Sequence, residues 1–87
     1  MKAKFQFEIM ELDDDMVAVP MGDGAESYHG VLKINETAAA ILKLLAEDTT
    51  EEQIVKVLLE EYTGDRAEIA RYTHEYIEKL IAEGIVE

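Results

Sequence analysis

The 87-residue sequence contains no cysteine, so it has no disulfide framework, no thiolate nucleophile and no cysteine-rich zinc site. It has no apolar run close to the roughly 20 residues that a membrane-spanning helix requires. Its first twelve residues alternate polar and apolar side chains, which is unlike a signal peptide. From these absences we expect a cytoplasmic protein that does not associate with membranes.

The residues that most often carry catalysis are also scarce. His29 and His74 are the two histidines, and position 78 is Glu, so the zinc-protease pattern H-E-x-x-H is not completed. Ser27 is the single serine and has no nucleophile elbow around it. The acidic run at 13–15 lacks the spacing and central glycine of a calcium loop. We therefore predict a protein that is not an enzyme and needs no metal or other cofactor.

Basic residues are few. Eight Lys and Arg face twenty Asp and Glu, which gives a formal net charge of −12. A charge of this sign repels nucleic-acid phosphates and anionic membranes. It either keeps a small protein soluble or steers a neutral or basic partner toward it, and the sequence leaves both explanations open.

The first half of the chain has the period-two alternation of β-strands. Apolar residues at alternate positions predict strands over 5–12, 16–21 and 28–34. Pro20 has no backbone N–H, so we place it at a strand end or a bulge. Short connections indicate that the three strands form an antiparallel meander.

The second half of the chain has helical periodicity and helix-capping residues. Helices are predicted over 36–47, 51–62 and 66–83. Asn35, Thr50 and Asp65 are good N-cap residues, and Gly84 is a good residue to follow the last helix. The predicted fold class is α+β: one domain, 1–87, with a three-stranded antiparallel sheet followed by three helices in a winged-helix-like arrangement.

The apolar positions of these elements predict one core. Its predicted members are Phe5, Phe7, Ile9, Val17, Val19, Leu32, Ile34, Ile41, Leu42, Leu45, Ile54, Leu58 and Leu80. The last helix carries two overlapping apolar stripes, although one stripe is enough to dock a helix. The second stripe implies either deeper burial of this helix or a surface that covers another molecule.

Three local patterns occur in a characteristic order. A β-prone segment runs into Asn35-Glu36-Thr37-Ala38, the second helix begins after Asp48 with Thr-Thr-Glu-Glu, and the last helix leads into Gly84-Ile85-Val86. In this order, from about Phe5 to Val86, the sequence resembles the PqqD family. Members of that family recognise the precursors of ribosomally made, post-translationally modified peptides.

The resemblance implies a function and a site. It implies a non-catalytic module that binds the leader of a precursor peptide as an added strand on the third strand, under the last helix. The module then presents the leader to a modifying enzyme, such as a radical SAM enzyme. The residues expected to bind the peptide are Tyr28, His29, Gly30, Val31, Leu32, Lys33, Arg66, Ile69, Tyr72, Thr73 and Tyr76.

A second function remains open: an acidic winged-helix adaptor or regulator that binds another protein. A DNA-binding version is disfavoured because the last helix has more acidic than basic residues. The oligomeric state also stays open. A meander leaves its third strand as an unpaired edge, which permits either a monomer or an edge-paired dimer.

Overall fold

Three antiparallel strands precede three helices in the computed structural model, which describes residues 1–22 and 30–86. The elements are β1 (Gln6–Leu12), β2 (Asp15–Met21), β3 (Leu32–Ile34), α1 (Glu36–Leu44), α2 (Glu51–Glu61) and α3 (Arg66–Ala82). This confirms the predicted α+β class. Within the described ranges, no helix is both long enough and apolar enough to cross a lipid bilayer.

The sheet has β2 at its centre. β1 pairs with β2 through a tight turn in which Asp13 has a φ of 55°, and β3 pairs with the other side of β2. The strand order is β1-β2-β3, so the predicted meander is confirmed and β3 is an edge strand.

The pairing register shows which side chains share a face of the sheet. Ala18 lies opposite Ile9 on β1 and Leu32 on β3, and these side chains belong to the core. We call this the inner face. Val17 and Val19 alternate with Ala18 and therefore point to the opposite, outer face.

The prediction that Val17 and Val19 are core residues is therefore wrong. Both are half-buried, and neither joins the core that β1, β3 and the helices share. The residues of β2 are apolar on both faces, so alternation alone does not tell which face is covered. The fully buried Ala18 is small, which lets the helices approach the middle of the sheet closely.

The predicted third strand covers 28–34, and its described residues 30 and 31 are not strand. β3 is formed by Leu32–Ile34, and Gly30 before it has a φ of 115°, outside the extended region. Gly30 and Val31 form an exposed approach to the strand. Tyr28 and His29 lie outside the described residues.

The predicted helix starts are confirmed by their caps. The Asn35 side chain accepts a hydrogen bond from the Ala38 N–H at 2.8 Å, and the Thr50 hydroxyl accepts one from the Gln53 N–H at 3.2 Å. Asp65 caps α3 through the Ala67 N–H. These contacts satisfy backbone donors that the first turn of a helix leaves free.

The helix ends differ from prediction by one to three residues. α1 stops at Leu44, three residues early, and the next carbonyl, that of Leu45, accepts a hydrogen bond from the Ala3 N–H. α3 ends at Ala82, and Gly84 follows it with a φ of 77°, the left-handed conformation expected of a glycine at this position.

The core lies between the inner face and the helices. Most of the predicted members are buried or pack against it, including Phe5, Ile41, Leu42 and Leu58. Sequence reasoning missed Ala18, Ile77, Ile85 and Val86. The last two are buried because the C-terminal segment pairs with the N-terminal one through an Ala3–Val86 bridge.

Candidate functional site

The free edge of β3 is the first component of the candidate site. Val31, which leads into the strand, is 56% exposed, and Lys33 is also exposed. The Lys33 Nζ lies 3.6 Å from the Asp15 Oδ1 on β2. One side of β3 is paired with β2, and no other described strand pairs with its second side. Backbone N–H and C=O groups on that side are available to another extended segment.

The strand itself is anchored in the core. Leu32 and Ile34 are half-buried and pack against the core cluster, whereas Lys33 between them is exposed. A segment added to this edge would meet a strand with a fixed backbone and an apolar inner side.

A hydrogen bond connects α3 to the end of β3. The Tyr72 hydroxyl donates to the Asn35 Oδ1 at 3.2 Å, the same oxygen that accepts the Ala38 N–H at the start of α1. This bond holds Tyr72 of α3 beside the residue that directly follows β3. Sequence reasoning identified Asn35 as a cap and missed this second role. The sequence offered one indication of it, because the side-chain oxygen of an N-cap Asn has two lone pairs and can accept two hydrogen bonds.

Tyr72 and Tyr76 form one aromatic surface on α3. Their ring centroids are 6.2 Å apart with planes only 9° from parallel. Residues 69, 72 and 76 fall within about 60° of the helix circumference. Ile69 and Tyr76 also pack against the core, while Tyr72 lies farther out and is 36% exposed. The structure therefore brings Ile69, Tyr72 and Tyr76 together on one face.

Thr73 occupies a different environment from its neighbours. It is fully buried, and its hydroxyl has no hydrogen-bond partner among the described residues. A buried hydroxyl without a partner lowers stability. In this conformation Thr73 belongs to the interior beneath the aromatic surface, with no atom exposed to a ligand.

Arg66 lies on another side of α3. It lines an open groove of about 870 Å³ between α2 and α3, together with Glu51, Glu52 and Glu60. Among residues 1–22 and 30–86, no hydrogen bond or ion pair connects Arg66 with β3. The contacts of Arg66 in the described part of the chain therefore place it beside α2, and its role in peptide binding stays a prediction.

His74 connects α3 with the start of α2. Its Nδ1 lies 3.0 Å from the Glu51 Oε1, and its Nε2 lies 3.7 Å from the Glu78 Oε1. The hydrogen bond to Glu51 raises the pKa of His74 above its ordinary value, with smaller contributions from the charges of Glu51, Glu78 and Glu75. The ring is more than half exposed, and its contact with Glu51 joins α3 to the start of α2.

An anchored edge strand beside an aromatic helix surface is an arrangement that suits the binding of an extended peptide. The chain belongs to the PqqD family: the family model for coenzyme PQQ synthesis protein D matches residues 15–86. This confirms the resemblance seen in the sequence. No curated protein is significantly similar to the chain in sequence.

Two solved structures share the fold. The first is TbiB1 in complex with the TbiA(beta) leader peptide, with a TM-score of 0.71 and 23% identity. That comparison covers 100% of this chain and 95% of the other. The second is lasso peptide synthetase B1 complexed with the leader peptide, with a TM-score of 0.66 and 21% identity. It covers 97% of this chain and 93% of the other.

Proposed function

We propose that this protein binds the leader of a ribosomally made precursor peptide and presents it to a modifying enzyme. The observation that carries the proposal is the free edge of β3 held next to the aromatic surface of α3 by the Tyr72–Asn35 hydrogen bond. Membership of the PqqD family supports it. So does the fold shared with two proteins solved in complex with leader peptides.

The leader adds to β3 as a fourth strand. Its backbone pairs with the unpaired side of β3, and alternate side chains turn toward α3, where Ile69, Tyr72 and Tyr76 form an apolar surface. The proposed peptide-binding set remains Tyr28, His29, Gly30, Val31, Leu32, Lys33, Arg66, Ile69, Tyr72, Thr73 and Tyr76. Thr73 contributes from below, as a buried support for the aromatic surface, and Arg66 attracts an acidic leader residue from the start of α3.

The module carries out no chemistry of its own and acts in the cytoplasm, where precursor peptides are synthesised. The enzyme that receives the leader, such as a radical SAM enzyme, supplies the reaction. Binding depends on backbone pairing and apolar contact, neither of which needs a cofactor.

The direct test is a titration with the leader of the precursor peptide encoded beside this protein's gene. Leaders that carry one N-methyl group at successive positions extend the test, because each N-methyl removes one backbone donor. Strand addition predicts loss of affinity at every second position, since alternate residues face β3. No binding, or losses without this alternation, would contradict the proposal.

Two variants at one position test the protein side of the ladder. Val31→Pro removes a backbone N–H just before β3, whereas Val31→Ala removes most of the side chain and keeps the N–H. Because Val31 is outside the β2–β3 ladder, both variants should stay folded. We expect Val31→Pro to weaken leader binding. Val31→Ala should bind the leader with an affinity within about twofold of that of the wild type. Unchanged affinity in a folded Val31→Pro protein would argue against addition at this edge.

A further inference from the structure

The outer face of the sheet carries an apolar stripe that the core does not use. It runs along β2 and onto β1 and consists of Met10, Val17, Val19 and Met21, which we call the outer patch. Met10 lies directly opposite Val17, and Val19 and Met21 continue on the same side of β2. Met10 is 41% exposed and Met21 is 46% exposed. Methionine is frequent on protein surfaces that bind partners, because its side chain is flexible and polarisable.

Acidic groups border the outer patch. Glu8 lies opposite Val19 within the sheet, and Asp15 lies at the start of β2 on the same face as Val17. Beyond Met10, the chain reaches the exposed acidic turn at 13–15. Lys33 lies opposite Val17 on this face, and its Nζ is 3.6 Å from the Asp15 Oδ1. The border is therefore strongly negative, like the whole chain with its net charge of −12.

We propose that the outer patch is the docking surface for the enzyme that modifies the leader. The enzyme would offer an apolar centre with Arg or Lys around it, matching the apolar stripe and its acidic border. Apolar centres with complementary charged rims are typical of specific protein interfaces. This inference rests on the proposed function, because it identifies where the partner in that function binds.

The negative charge of the border indicates which kind of molecule binds the outer patch. A second copy of this chain would bring two acidic borders together, and like charges at close range oppose association. An anionic membrane is repelled for the same reason. A basic protein surface would be attracted to the acidic border at long range and would form favourable charge contacts with it once bound.

The position of the outer patch fits a presenting role. Val17, in the patch, lies opposite Lys33, so the patch reaches the strand to which the leader is proposed to add. Side chains on an added strand alternate between the two faces of the sheet. One half would turn to α3, and the other half would lie beside the outer patch, within reach of the docked enzyme.

The test uses the leader-modifying enzyme encoded beside this protein's gene and measures two affinities for each variant. The Met10→Lys Met21→Lys double variant places two like charges against a basic partner. Ile81→Lys is the matched control, because Ile81 is 45% exposed but lies on α3. We expect the double variant to lose at least about tenfold in enzyme affinity and the control to stay within about twofold. Leader affinity should be unchanged in both, which also shows that the variants are folded.

A third variant tests the border. Asp14→Lys reverses one charge in the exposed turn, and it should weaken enzyme binding most at low salt and reduce its salt dependence. The proposal is overturned if the enzyme binds wild type and double variant equally, or does not bind the wild type at all. It is also overturned if wild type is a dimer that the double variant dissociates. Absence of leader binding in every variant would instead refute the proposed function.

Discussion

The two faces of the sheet have similar apolar content along β2 but opposite surroundings. On the inner face, Ala18 is fully buried beneath the helices and lies between Ile9 and Leu32. On the outer face, the larger Val17 and Val19 are only half-buried, and Met10 and Met21 remain exposed. The smallest apolar residue of β2 is thus the most buried one. Burial here follows the fit between layers, not the hydrophobicity of single residues.

This difference separates stability from recognition. The inner face contributes to folding because its side chains are removed from water by the helices. The outer patch keeps apolar area exposed to water, and that area can contribute free energy when a partner covers it. Substitutions on the inner face should therefore change the free energy of unfolding, whereas substitutions in the outer patch should change the affinity for a partner.

The largest effect is expected where a helix packs against the inner face. Leu42 of α1 is 4% exposed and belongs to the core cluster that also contains Phe5 and Ala18. Leu42→Ala removes buried methyl groups and leaves a cavity, so it should lower the free energy of unfolding by roughly 2–5 kcal/mol. Urea denaturation measures this directly. A loss below about 0.5 kcal/mol would mean that this contact is not part of a packed core.

A pair of neighbouring substitutions compares the two faces directly. Ala18→Leu forces a large side chain between sheet and helices and should cost about 1–3 kcal/mol. Val17→Leu also introduces a leucine, but on the outer face, and it should change stability by no more than about 0.5 kcal/mol. Thermal unfolding of the two variants gives the comparison. Equal losses would show that both faces are packed to the same degree.

Much of the fold could be predicted from the sequence because its signals are local. Asn35 and Thr50 start helices through hydrogen bonds within one turn, and the alternation in β1 predicts Phe7 and Ile9 on the inner face. The faces of β2 could not be assigned, since both sets of alternate residues are apolar. The burial of Ile85 depends on contact with the distant N-terminal segment, which no local pattern reveals.

The candidate site was predictable in part for a similar reason. Strand order made β3 an edge, and helical spacing placed Ile69, Tyr72 and Tyr76 on one face. The Tyr72–Asn35 hydrogen bond joins residues far apart in the chain and required the tertiary structure. The burial of Thr73 also required the tertiary structure, because the helical pattern alone left open whether the second apolar stripe of α3 is buried or covers another molecule.

A smaller effect is expected at the contact between helix and edge strand. Tyr72→Phe removes the hydroxyl that donates to Asn35, so it should lower the free energy of unfolding by about 0.5–1.5 kcal/mol. Tyr62→Phe is a suitable control, because no hydrogen bond of the Tyr62 hydroxyl is found within residues 1–22 and 30–86. Denaturant titrations of both variants measure the difference. Equal stability of the two would show that the hydroxyl contact is not formed in solution.

The smallest effect is expected in the helical layer and depends on pH. The Glu51 carboxylate accepts a hydrogen bond from the His74 Nδ1–H and raises the pKa of His74 above its ordinary value of 6.5. The folded state therefore binds this proton more tightly than the unfolded state. The resulting stabilisation is fully present below the unfolded pKa and is lost as the pH rises through the folded pKa.

His74→Gln should consequently reduce stability at about pH 5.5 and have little effect at about pH 9, when the wild-type ring is neutral. The measurement is the difference in urea midpoint between wild type and variant at each pH, because other titrating groups cancel in that difference. Glu51→Gln should also reduce this pH dependence of stability, since it removes the carboxylate charge that favours the protonated form of His74. Because the His74 ring is exposed to solvent, its effect on stability should be small. The ring is part of the contact between α2 and α3. Enzyme binding at the outer patch should therefore not respond to either substitution, and a parallel loss there would show that the two sides of the molecule are coupled.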